Sequence, residues 1–201
     1  MLRYQGKSVM EYFKLRKIAK QVRAGILPKD IDRDVIFEAL KLTRPRNAVE
    51  MFGFLSAKIE RQDGSPATDL GLVSVQKVTT AFAKRLVDAM ATSGDVLDDF
   101  NQHKQGAGST AEASGDTALV TPQAGAQGVT GGAAVTHGAT SNIYRTIGTI
   151  TAGSAYGIRE HGVFNASTGG ILLDRSIVTA IAVNTDDVVT WTYELTVNSE
   201  T

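Results

Sequence analysis

Glu160 and His161 adjoin in the stretch YGIREHGVFNASTGGILLDRS, and Asp174 and Arg175 adjoin near its end. A carboxylate beside an imidazole has the residue types of general acid–base catalysis, which needs both side chains to converge on one substrate. The same stretch reads as strand, glycine turn and strand, and neighbours in a strand point to opposite faces. Glu160 and His161 are therefore not expected to act as a pair. The reading favoured for Glu160 is a strand edge, exposed or salt-bridged, with Gly162 easing close packing or a bulge. Asp174 and Arg175 are expected to pair across strands or across subunits, where a buried Arg–carboxylate contact fixes register more than it adds stability.

The other chemical candidates are weaker. His103 follows Asp98 and Asp99 in DDFNQHK, but no H-E-x-x-H motif or Asp-rich calcium loop accompanies them, so a helix-exit surface is expected. Ser167 and Ser176 lack the G-x-S-x-G of a nucleophile elbow. His137 has no evident partner. The glycines form neither G-x-x-x-x-G-K-[ST] nor G-x-G-x-x-G. Asn165 in NAS matches a glycosylation acceptor, which carries weight only in a secreted chain. With no cysteine, thiolate chemistry and disulfides are excluded. No catalytic, metal-ligating or cofactor-binding residue is expected.

The elements that hold these residues divide the chain. SVMEYFKLRKIAKQVRAG predicts a helix from a Ser8/Glu11 capping box to Gly25 and Pro28, with Tyr12, Leu15, Ala19 and Val22 on one face. Shorter helices are expected over Asp34–Leu42 and Ala48–Ile59, separated by LTRPRNA. The turn-rich RQDGSPATDLG marks a boundary near residue 65. SVQKVTTAFAKRLVDAMATSG predicts a further helix capped by Ser74 and Gly94, with Val75, Val78, Phe82, Leu86 and Ala89 on its buried face. Residues 105–142 hold 8 glycines and no Lys, Arg or aromatic residue, a composition for a loop or arm with TALVT as a brief strand. NIYRTIGTI, SIVTAIAV and the last strand are β-rich. In that last strand Val189, Trp191, Tyr193, Leu195 and Val197 should be buried, and the alternate residues Val188–Thr196 should face solvent or a neighbour.

Formal net charge is zero, but residues 1–62 carry 14 Lys/Arg against 7 Asp/Glu and residues 63–201 carry 7 against 14. Opposite charges of this size favour contact between the two parts or between copies, and the alternating signs argue against nucleic acid. No run approaches the ~20 apolar residues of a membrane span. The basic N-terminus is not followed by an apolar signal-length stretch, so a soluble chain is expected. The expected fold class is α+β: a basic helical region over residues 1–65, then over 66–201 a helix, a Gly/Ala-rich segment and an antiparallel β-sandwich of jelly-roll or Ig-like kind.

From about Val78 onward the order of pieces resembles a group of tailed-bacteriophage virion proteins. These pieces are KVTTAFAKRLVDAM, FNQHKQGAGSTAE, SNIYRTIGTI, EHGVFNASTGGILLDRS and a terminal TYELTV. The resemblance implies a structural component of the particle rather than an enzyme, most simply a head decoration or cement protein on the major capsid protein. It further implies a homo-oligomer residing in the virion after assembly in the host cytoplasm. The alternatives are a head-to-tail connector, tail or baseplate protein, or a carbohydrate-binding adhesion module needing exposed aromatic residues.

Overall fold

The computed structural model describes residues 3–4, 7–24, 26, 31–42, 50–93, 97, 99–123, 135–137 and 142–198. In chain order these form β1 (Arg3–Tyr4), β2 (Lys7–Ser8), α1 (Val9–Arg23), α2 (Arg33–Leu42), β3 (Glu50–Glu60), β4 (Thr68–Lys77) and α3 (Thr80–Ala91). Then follow β5 (Gln102–Gly106), β6 (Val135–His137), β7 (Ile143–Thr151), β8 (Tyr156–Phe164), β9 (Leu172–Val183) and β10 (Val188–Asn198). Gly25, Pro28, TRPRN, Gly94, Asp98 and residues 124–134, on which parts of the sequence reading fell, lie outside the described residues, as do the side chains of Ser8 and His137.

Two antiparallel sheets carry the fold, one ordered β4-β3-β10-β7-β6 and the other β5-β8-β9. The chain is mostly β with some helix. One core joins the sheets: Leu55, Ala57 and Ile59 of β3, Ile150 of β7 and Val189, Trp191 and Tyr193 of β10 cluster with Ile158 and Val163 of β8 and Leu173, Val178, Ile181 and Val183 of β9. Trp191 is fully buried, a position where truncation to Ala costs about 3–5 kcal/mol. A second cluster sets Leu15, Ile18, Ala19 and Val22 of α1 and Ile36, Ala39 and Leu40 of α2 on Phe52, Phe54 and Val75. Leu15, Ala19 and Val22 are thus buried as their spacing predicted, while Tyr12 is only half-buried.

Ala48–Ile59 is not helical; its described part is β3, so the N-terminal region is not helical throughout. β3 lies between β4 and β10 and buries both faces, Phe52 and Phe54 towards the helices and Leu55, Ala57 and Ile59 towards the sheet core. An apolar run buried on both sides has no period-two signature to separate it from helix. The expected boundary near residue 65 falls in the β3–β4 hairpin.

Ser74 does not cap a helix either. It lies in β4, and α3 begins six residues later behind Thr79, whose Oγ1 accepts from the Phe82 N–H at 3.1 Å. The β-branched run before Thr80 stays extended. Thr79 also donates its N–H to the Leu173 carbonyl at 2.9 Å, fixing this junction to β9.

In β10, Val189, Trp191, Tyr193 and Leu195 are buried as the alternation predicted, but Val197 is 40% exposed while Glu194 and Thr196 are buried. Glu194 faces Arg145 of the neighbouring β7, with a 2.6 Å ion pair. TALVT forms no strand; an isolated bridge, Gly106 to Pro122, is its nearest sheet-like contact.

The two turns bounding β9 follow from their sequences. In NASTGG, Asn165 Oδ1 accepts from the Ile171 N–H at 2.6 Å, and Gly169 and Gly170 adopt positive φ. In NTDD, Asp186 takes φ 65°, and Asp187 accepts from the N–H groups of Asn184 and Gln62 and from Arg61. Those bonds hold the Asp187 carboxyl down at about 2.

Candidate functional site

The β8–β9 hairpin places Glu160 and His161 on opposite faces, and Asp174 and Arg175 likewise. Gly162 pairs with Arg175, His161 with Ser176 and Val163 with Asp174. Glu160 and Arg175 therefore share the outer face, whereas His161, Asp174 and Ser176 share the face turned to β10. All five are buried.

On the outer face Glu160 is not exposed but wholly enclosed, and it is salt-bridged. Its Oε1 accepts from the N–H groups of Gly108 (3.1 Å) and Thr121 (2.6 Å). Its Oε2 accepts from the Val120 N–H (3.0 Å) and from Arg175 Nε (3.0 Å), with an Arg175 terminal nitrogen 2.9 Å away as an ion pair. Arg175 also donates to Asp116 at 3.0 Å and to the Thr110 carbonyl at 3.1 Å. The irregular segment 107–123 is thus tied over β8 and β9 by one buried ion cluster. Glu112 adds a further tie by accepting from the Ile177 N–H (2.6 Å) and Gln76 (2.9 Å).

Burial pushes the Glu160 carboxyl up, but the Val120 and Thr121 N–H groups and the Arg175 bond and charge outweigh it and leave it below the usual range. A carboxylate that already accepts four hydrogen bonds, two on each oxygen, has no open lone pair with which to take a substrate proton. Gly108 is required here because a Cβ would run into the Glu160 carboxylate.

The inner face is polar but neutral in character. His103 Nδ1 lies 3.0 Å from His161 Nε2, so one ring donates to the other, and His103 Nε2 lies 3.3 Å from Thr146 Oγ1 on β7. The His161 ring lies 4.6 Å from that of Trp191, whose Nε1 donates to Gln105 at 2.8 Å. Gln105 in turn donates to the Tyr156 hydroxyl at 2.7 Å. Asp174 accepts from Ser176 Oγ and from the Tyr193 hydroxyl, both at 3.1 Å. A Cβ at Gly53 would strike Asp174 and Tyr193, and one at Gly148 would strike the His103 ring. These two glycines make room for the layer.

Burial drives both imidazoles down, His103 to about 3, and at His161 charge on the neighbouring His103 adds to the effect. Burial also drives Asp174 up to about 7, only partly offset by its bonds from Ser176 and Tyr193. Although Ser176, Asp174 and His161 lie near one another, Ser176 donates to Asp174. The contact His161 makes at hydrogen-bond distance is to His103, so no nucleophile–base–orienter chain is formed.

Asp174 and Arg175 do not pair with each other. Each pairs within the fold on its own side of the sheet. His103 does not lie on a helix exit but in β5, buried, and no group of three metal-ligating side chains occurs among the described residues. Ser167 lies exposed in the turn. Sequence reasoning missed Asp116, Glu112, Thr110, Gln105 and Thr146. The available signal was that Glu112 and Asp116 are charged residues in a segment without Lys or Arg, which calls for a cation from elsewhere.

A cavity of about 330 Å³ borders the outer cluster between the end of α1 and the loop, lined among others by Arg23, Gln76, Glu112 and Arg175. Arg23 donates to the Leu40 carbonyl, and the other three are held by the bonds given above. No family model, curated protein or solved structure matches the chain.

Proposed function

We propose that the chain is a structural component of a tailed-phage virion, a head-associated decoration or cement protein that binds capsid subunits, with its two sheets facing each other as a β-sandwich of jelly-roll or Ig-like kind. The observation that carries this reading is the ordered set of C-terminal sequence pieces. Two of them, FNQHKQGAGSTAE and EHGVFNASTGGILLDRS, supply the interlocking residues Gly108 and Thr110 on one side and Glu160 and Arg175 on the other. Pieces that lock one another explain why they would occur together in a fixed order.

The consumption of the polar β8–β9 side chains by bonds within the protein supports a structural role over a catalytic one. The carbohydrate-binding alternative needs an exposed aromatic platform, whereas Trp191 is wholly buried and the Tyr156 hydroxyl is engaged by Gln105. Mass spectrometry of purified particles tests the assignment: presence at structural copy number is expected, and absence from particles contradicts it. Density at the neck or tail rather than the head in a particle reconstruction would move the protein to a connector or tail role.

A further inference from the structure

Two surfaces of the described chain are complementary and cannot meet within one copy. The first is the outer stripe of α1. Its buried side, Leu15, Ile18, Ala19 and Val22, is committed to the cluster on β3 and β4. The opposite side presents Met10 and Phe13, 82% and 62% exposed, among the exposed Lys14, Lys17 and Lys20. Positions 10, 13, 14, 17 and 20 fall on one side of a helix.

The second surface is a groove of about 410 Å³ along the seam between β4 and β9, the strands that end the two sheets. Apolar side chains including Ile59, Leu70, Val73, Ala180 and Ile181 line it, together with Thr179 and with Arg61. Around this end of the molecule the exposed acids Glu60, Asp63, Asp69 and Asp186 come from the β3–β4 hairpin and the β9–β10 turn. The lining Arg61 is already paired to Asp187 at 2.7 Å and the neighbouring Lys58 to Glu60 at 3.0 Å, so the acids outnumber the free cations at this end.

The α1 stripe is apolar with a basic border, and the groove is apolar with an acidic border. α1 packs on Phe52, Phe54 and Val75 with its outer stripe turned away from the sheet, whereas the groove lies along Ile59, Leu70 and Ala180, with Leu72 between the two.

We propose that the α1 stripe of one copy docks in the β4–β9 groove of a second copy, Met10 and Phe13 entering the groove and the lysines facing its carboxylates. The occupant is a second copy because the charge complement lies on the same chain, where residues 1–62 carry an excess of seven positive charges and the remainder an excess of seven negative ones. The two patches differ, so the contact is head-to-tail and propagates into a ring or an open array rather than closing as a twofold dimer. Each contact is small and gains strength by repetition. The contact stands on these surfaces alone and does not rest on the particle assignment.

Sedimentation of the whole chain across the micromolar range tests it, with Phe13→Asp blocking the stripe and Ala180→Arg filling the groove. Both sites are exposed in the single chain, and circular dichroism checks that each variant remains folded. The wild type is expected to form species beyond the dimer at low salt and to dissociate as salt rises. Each variant alone is expected to be monomeric, and an equimolar mixture to form a 1:1 dimer that grows no further, because one intact stripe then meets one intact groove.

A wild type that stays monomeric, or a mixture that fails to pair, overturns the proposal. So does a twofold dimer insensitive to both variants, or a wild type that binds anionic lipid vesicles through α1 without self-associating. A monomeric chain leaves the virion reading intact, since particle composition is measured separately.

Discussion

The two faces of the β8–β9 hairpin solve the same problem, polar groups without water, in opposite ways. The outer face pairs its charges: Glu160 and Asp116 both contact Arg175, and backbone N–H groups supplement Glu160. The inner face keeps its polar atoms by discouraging charge. Asp174 is pushed up to about 7, and the two histidines are held neutral. A carboxylate beside a guanidinium survives burial as an ion, whereas one met only by hydroxyls is favoured as the acid. Sequence adjacency therefore says little about environment, because the pleat sends Asp174 and Arg175 to the two different solutions.

The contrast sharpens under substitution. The largest effect is expected for Arg175→Met, which strands Glu160 and Asp116 without their cation and should cost about 3–5 kcal/mol in denaturant unfolding. Adding Glu160→Gln to that variant should recover part of the loss, because a buried neutral amide is less costly than an unpaired buried carboxylate. Costs that simply add would show that the two side chains are not coupled.

Next comes the acid limb of stability. The histidines have folded values depressed below their ordinary 6.5, so the unfolded chain takes up protons first as pH falls. The His103 contribution is fully present above about 6.5 and is lost as pH drops towards 3, and His161 acts in the same direction. His103→Gln should lessen that loss by roughly one proton's worth of slope, read as unfolding free energy against pH.

Asp174 has the reverse sign. Its folded value lies above the ordinary 3.8, so its contribution is fully present below about 4 and is lost as pH rises to about 7. Relative to the wild type, Asp174→Asn should therefore gain stability across that window by a few kcal/mol at most. A constant offset between the two curves would contradict a neutral Asp174. The smallest effect is expected for Asp88→Ala, which removes an exposed ion pair with Lys84 on α3 and should change stability by less than about 0.5 kcal/mol.

Local regularities made much of this legible before any coordinates. The opposite-face argument for Glu160 and His161 needs only the strand, and the turns NASTGG and NTDD announce themselves by side chains that bond their own backbone. The buried set Val189–Leu195 follows from alternation. What escaped depends on distant partners. Glu194 reads as solvent-facing until Arg145 of β7 is set beside it, and β3 reads as helix until both its faces are covered. The bonds that tie segment 107–123 to β8 and β9 join residues 39 to 65 positions apart, and Trp191 meets Gln105 across 86. No spacing rule reaches so far, and the loop that supplies one side of those ties has a composition that promises no fixed structure.

The central claim is that the buried Glu160–Arg175 pair holds the segment 107–123 in place. Amide hydrogen exchange at Val120 and Thr121, followed residue by residue in the wild type and in Arg175→Met, tests it most directly. Both amides should exchange slowly in the wild type, as donors to a buried carboxylate, and at least tenfold faster in the variant, by more than the core amides of β10 accelerate. Rapid exchange at both positions in the wild type would contradict the account.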